Sequence, residues 1–369
     1  MEFNEKYFMF FWKLPISLKC LEDDLLITSH VYASKKTQNV IQYLQSLNSV
    51  KQFPAILNAI YPQYGIPDLG CHHRILGANL DLTNFSEARK ETWNILGLLR
   101  LVKPLPIQIA GTVQIHENDI SCFETIWSKT YLNVSSIEKL EYVEEDLEGA
   151  KNLWNRLFKN SPKKTRILSG VRSFIKASLT EQIAHEDTFF KVLFPILDLL
   201  MGNPSYKHKD HLLKTISPWL QFVYKKEAEK NKIDFTKVLT NLWDNYRHHY
   251  LHHSESELPP SHLYKKINGE YKHEGQSQDK DSLKAVYALH EIVRLMLLSI
   301  LFIDKIVQDQ FNNLPLVEGH KIPNDKKESD LFRKEAFIIF FQSLIDNKTK
   351  PTKTFWIDSW HKDIFCHLS

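Results

Sequence analysis

Over residues 1 to about 125, apolar positions come in short runs that alternate, or nearly alternate, with polar ones, the period-two signature of strands. The candidates are Tyr7–Trp12, Leu25–Val31, Leu80–Leu82 and Ile107–Ile115. Two segments instead show helical spacing, Gln42–Asn48 and Glu87–Leu101. The second follows Asn84 and Ser86, residue types suited to N-caps, and stops ahead of Pro104. Ile137–Asn160 is charged and helical in pattern, and the Ser161-Pro162-Lys163-Lys164 run after it reads as the seam between two domains.

Beyond that seam the three-to-four-residue period of helices runs almost to the last residue. It covers Val171–Leu200, with Pro195 marking a break or kink, then His211–Lys226, Phe235–His253, Asp281–Gln310 and Asp330–Ile345. Between the third and fourth of these lies Ser254–Lys280, polar, rich in turn residues and long for a connection inside a compact domain. The tail, Asn347–Ser369, holds two Trp and two Phe and is expected to dock. The fold class that follows is α+β. A mixed α/β domain with its connecting helix occupies residues 1–160, an all-α bundle 161–315 and a helical extension 316–369.

Composition narrows the class only a little. An apolar fraction of 43% and a charged fraction of 25% are those of an ordinary globular protein, and a net charge of +3 announces no nucleic-acid partner by itself. Cys20, Cys71, Cys122 and Cys366 form no CxxC pair, which signals neither a zinc ribbon nor a disulfide scaffold. The first residues make a poor signal peptide, and the longest apolar stretch, Leu295–Ile303, is under half a membrane span. The expectation is a cytoplasmic protein without a membrane partner.

The segment Asn241–Glu255 concentrates the chemistry. One arginine, Arg247, stands among His248, His249, His252 and His253 at the end of a helical stripe formed by Val238, Leu242, Tyr246 and Tyr250, with Leu239 and Trp243 beside it. Two plainer readings stand next to a catalytic one. Histidines suit the negative end of a helix dipole. His248/His252 and His249/His253 also have the i,i+4 spacing of metal ligands, although neither a third ligand nor an HExxH motif accompanies them. Cys71-His72-His73 reads as a loop more readily than as a metal site, because adjacent residues are poor co-ligands.

Arg247-His248-His249-Tyr250-Leu251-His252 resembles the motif of HEPN ribonucleases: an arginine, then Asn, Asp or His (here His248), then three or more residues, then a histidine, at the end of a long helix. Tyr246 before the arginine, and Phe194–Leu200 with its acid Asp198, resemble the Apea-like branch of that family. The resemblance covers roughly residues 165–310. The sequence departs from that branch at His253-Ser254, where glycine is common, and at Asp198, where glutamate is commoner.

The resemblance implies an all-α HEPN bundle and metal-independent RNA cleavage, with Arg247, His252 and His248 as the catalytic set. It makes Asp198, Tyr246 and His253 supporting residues, with Asp198 fixing the guanidinium. It calls for no cofactor and no metal. Histidine can take or give a proton near neutral pH, and arginine offers a charged fork to phosphoryl oxygens. Tyr264, Lys265 and Lys266 in the long loop are candidates for gripping RNA by stacking and charge.

On a regular α-helix Arg247 and His252 point roughly 140° apart. A composite site in a homodimer, usual for the family, would supply two histidines from a chain with one motif. The implied setting is a toxin or anti-phage effector, with the N-terminal domain as a sensor for a ligand or protein. The alternative is a non-catalytic scaffold that binds nucleotide, RNA or protein.

Overall fold

The computed structural model describes backbone and side chains for residues 90–105, 141–159, 164–178, 190–202, 209–246, 284–314, 335–366 and 368–369. It describes backbone alone for 7–15, 25–26, 31–33, 73–81, 85–89, 108–116, 119–124, 179–180, 186–189, 208, 247, 264–267, 270–273, 278–283 and 326–334. The chain divides into two compact units. The first is Met1–Pro162 with Ser178–Ile183, and the second is Lys163–Ala177 with Ala184–Ser369, which takes in the closing segment.

The expected α+β class is overturned. The part described with its side chains is 80% helical and contains no strand or sheet, so the packed body is all-helical. The reason lies in which residues bury. In the first unit the described core comes from helix α1 (Phe85–Val102) and helix α2 (Glu144–Trp154), through Ile95, Leu98, Leu99, Val102, Leu147 and Ala150. Tyr142 locks this pair, its hydroxyl donating to the carbonyl of Lys103 at 2.9 Å. Asp146 reaches back to the Val143 N–H at 3.0 Å and satisfies a donor left open at the start of α2. Ser86 lies inside α1 rather than capping it. Some backbone-only segments trace antiparallel ladders, with Tyr7–Pro15 between His73–Asp81 and Gln108–His116. These are chain paths without described packing and do not set the class. Gln42–Asn48 lies outside the described residues.

The second unit is a helical assembly. Its described helices are α3 (Arg166–Thr180, of which residues up to Ala177 belong to this unit), α4 (Glu186–Leu200), α5 (His208–Val223), α6 (Lys225–Asn231), α7 (Phe235–Asn241), α8 (Gln278–Leu301), α9 (Lys305–Asn312), α10 (Lys326–Asp346) and α11 (Asp358–Phe365). Pro195 does not break α4. It sits inside the helix at an exposed position, where the missing N–H leaves its acceptor facing water. The expected helix Asp281–Gln310 is two, because Asp304 caps α9 by accepting from the Ile306 N–H at 2.8 Å. Their axes meet at 119°, and among the described residues no single helix is long and apolar enough to cross a membrane.

Helix α8 is the centre of this unit. Every residue from 285 to 301 is buried. Val286, Tyr287, Val293, Leu297, Ile300 and Leu301 therefore belong to the core of one chain and are not available as a dimer surface. A charged cluster lies within that core. The Glu291 carboxylate accepts from Arg294 Nε at 2.8 and 2.9 Å and from His361 Nε2 at 2.7 Å. Arg294 Nη2 also donates to the Phe355 carbonyl at 2.9 Å. His361 in turn accepts the Ile357 N–H at Nδ1 and stacks on Trp356 with centroids 4.1 Å apart. Burial alone raises the Glu291 pKa, but Arg294 and the His361 N–H bring it down to about 2. Burial pushes the His361 pKa below its ordinary value, outweighing the bond to Glu291. Cutting one member from such a cluster leaves an uncompensated charge in the core. The tail is docked, with Phe355, Trp360, Phe365 and Leu368 all buried.

Candidate functional site

Helix α7 opens on Asp234, whose carboxylate accepts from the N–H groups of Thr236 and Lys237 at 2.9 and 3.2 Å. Its α geometry ends at Asn241, and Leu242–Arg247 continue as a π-helical segment. This corrects the premise of a regular α-helix up to the motif. A π turn bonds i to i+5, so it holds more residues than an α turn and resets the angular spacing of the side chains it carries. Arg247 is its last residue.

The residues just before Arg247 are locked into the core. Val238, Leu239, Leu242 and Tyr246 are buried, as the four-residue stripe requires, and Trp243 is partly so. Tyr246 stacks on Phe190 of α4 with centroids 5.5 Å apart and planes at 15°. Trp243 meets Phe194, one turn along the same helix, edge-on at 6.0 Å. Phe190 and Phe194 also stack on each other. Ring pairs of this kind contribute about 1 kcal/mol each beyond the burial of their surface. Asn245 Nδ2 donates to Asn241 Oδ1 at 2.7 Å across the α-to-π junction. On the outer side Lys209, in the first turn of α5, holds both oxygens of Asp244 at 2.8 and 2.6 Å.

These contacts run antiparallel. From Trp243 to Tyr246 the partner on α4 moves from Phe194 back to Phe190. Asp198, half-buried, lies one turn beyond Phe194, about 6 Å further along the axis and away from Tyr246.

Tyr246 and Asp198 are thus placed with their side chains, and Arg247 by its backbone. His248, His252 and His253 lie outside the described residues, as do Cys71 and His72. Tyr264, Lys265 and Lys266 fall on the backbone strand Tyr264–Ile267, which pairs with Glu270–His273. Part of the expected loop is therefore a hairpin, and the Asn268-Gly269 step between the strands is the sequence signal that marks it. Among the described residues no group of three or more His, Cys, Asp or Glu is arranged to hold a metal ion.

Sequence reasoning missed Phe190, Lys209 and Asp244. Phe190 could have been found from its four-residue spacing to Phe194. The Lys209–Asp244 pair, 35 positions apart, carries no local signal. Comparison of the chain with protein families, curated proteins and solved structures gives no match.

Proposed function

We propose that this protein is a metal-independent endoribonuclease of the HEPN type that acts on cytoplasmic RNA. Arg247 binds the phosphoryl oxygens and offsets the charge that builds on them, and His252 carries the proton transfers, with His248 beside it. The 2′-hydroxyl gives its proton to a base and attacks the adjacent phosphorus. The bond to the 5′-oxygen breaks and that oxygen takes a proton, leaving a 2′,3′-cyclic phosphate and a 5′-hydroxyl. The observation that supports this reading is the position of Arg247. It ends a π segment whose preceding side chains are fixed in the core, an arrangement that frequently accompanies functional residues.

Acid and base roles ask for two histidines, and a homodimer that joins two motifs supplies them. The first unit is proposed as a sensor that takes a regulatory ligand or protein, and the whole as a toxin or anti-phage effector. Tyr264, Lys265 and Lys266 are proposed RNA contacts, and His253 a supporting residue.

The test is incubation of the purified protein with total RNA in EDTA. The expected result is cleavage that leaves 5′-hydroxyl and cyclic phosphate ends. Loss on chelation with recovery on adding a divalent ion overturns the metal-free mechanism. RNA binding with no cleavage at any protein concentration assigns the chain to the scaffold class.

A further inference from the structure

Residues 347–357 carry Lys348, Lys350 and Lys353 and no acid. The segment is pinned along its length. Lys348 ends α10 with φ of 52°, its N–H donating to the Ile345 carbonyl at 3.0 Å, and the Thr349 N–H donates to that of Leu344 at 2.8 Å. Further on, Thr352 gives its N–H and its hydroxyl to the Phe302 carbonyl, at 2.7 and 3.1 Å. Two of the ammonium groups stand over rings. Lys350 Nζ lies 4.8 Å from the centre of Phe222, near the end of α5, and Lys353 Nζ 5.7 Å from that of Phe355. A ring holds a cation in place but brings no countercharge.

Other lysines close by are paired, Lys225 with Glu229 and Lys230 with Asp358. Lys348, Lys350 and Lys353 are exposed and meet no carboxylate among the described residues, and nor does Lys226, four positions after Phe222. Asp346, just ahead of the loop, takes a bond from Gln342 at 2.8 Å instead. The backbone of Lys348 sharpens the point. Its left-handed conformation suits glycine and strains a lysine, so the turn by itself does not ask for that side chain.

We infer that this pinned and uncompensated set, Lys226, Lys348, Lys350 and Lys353, is a surface for the phosphate backbone of single-stranded RNA. An extended chain sets residues two and three apart up to about 7 and about 10 Å from each other, so a strand of phosphates can meet the whole loop and a lone anion cannot. Lysine serves such a strand as a point charge, without reading its bases. The choice of RNA as the polyanion rests on the ribonuclease reading, whereas the charge arrangement does not.

The experiment measures binding of the full-length protein to a labelled, single-stranded 2′-O-methyl oligouridylate by fluorescence anisotropy across a salt series. The methyl group removes the attacking hydroxyl, so cleavage plays no part. The quadruple Lys→Gln variant at these positions is expected to bind about tenfold more weakly, with a log–log salt slope shallower by about 3, since each phosphate contact on a single strand contributes about 0.7. The matching quadruple Lys→Arg variant keeps affinity and slope. Lys348→Gly melts no lower than the wild type and still loses about 0.7 of slope.

A Lys→Gln variant with wild-type affinity and slope overturns the inference, as does a wild type that does not bind the oligonucleotide. Equal losses in the Lys→Arg variant show that these side chains brace the fold, and overturn it too. So does tighter binding to vesicles of phosphatidylserine and phosphatidylcholine, lost in the Lys→Gln variant, which makes the surface a membrane contact. A wild type that binds through these lysines but cleaves no RNA removes the ribonuclease reading and leaves the surface standing. A wild type that cleaves, beside a Lys→Gln variant with unchanged binding, removes the surface alone.

Discussion

Glu291 and His361 meet at 2.7 Å in the interior of the second unit although 70 positions separate them. That bond ties α8 to α11, and it makes the unit sensitive to acid. His361 is held neutral by burial, so an unfolded chain takes its proton more readily than the folded one. Its contribution is fully present above the ordinary value of 6.5 and is lost as pH falls below it. Glu291 adds a second loss between its ordinary 4.5 and about 2. Denaturation midpoints are expected to fall steadily from pH 7 to pH 5, and His361→Gln to flatten that slope. A wild-type midpoint that does not move across this interval refutes the assignment.

Gly202 has φ of 90°, and a Cβ added there would lie 2.5 Å from the ring of Phe337. Phe337 is itself fully buried and cannot swing away. Gly202→Ala is expected to cost about 3 kcal/mol, combining left-handed strain with overpacking. Urea denaturation measures it, and an unchanged midpoint contradicts the geometry.

Replacing Arg247 or His252 by Ala should abolish RNA cleavage, and His249→Ala should cost far less. Light scattering at assay concentration should report a dimer for all three. A fully active monomer rejects the composite site, and a wild-type rate in His252→Ala rejects the enzyme reading.

The amphipathic stripe through Val238, Leu242 and Tyr246 was legible because burial follows a simple period. The π segment beneath it was not, since no residue type announces i+5 bonding. The split between α8 and α9 had a readable sign in Asp304, outweighed by the apolar continuity of Leu297–Ile303. The helix over Glu87–Leu101 was legible from the spacing of Ile95, Leu98 and Leu99, whereas the α+β expectation failed because the class was set by the alternating runs around it, and the residues described with their side chains pack as helices. Long-range pairs such as Lys209–Asp244 and Glu291–His361 depend on how helices cross, which a single sequence does not state.

The enclosure of α8 also fixes an order of events in time. Phe174 packs against His290 of this helix, while Phe355, Trp360 and His361 meet it at Arg294, Tyr287 and Glu291. During synthesis the helix is made well before its last neighbours, and its Glu291 and Arg294 have no finished interior to occupy until residues 355–365 have emerged. Pairings this distant in sequence form late in folding. The second unit therefore sets only once residues 355–365 are available to it, and a chain cut after Asp346 leaves its central helix uncovered.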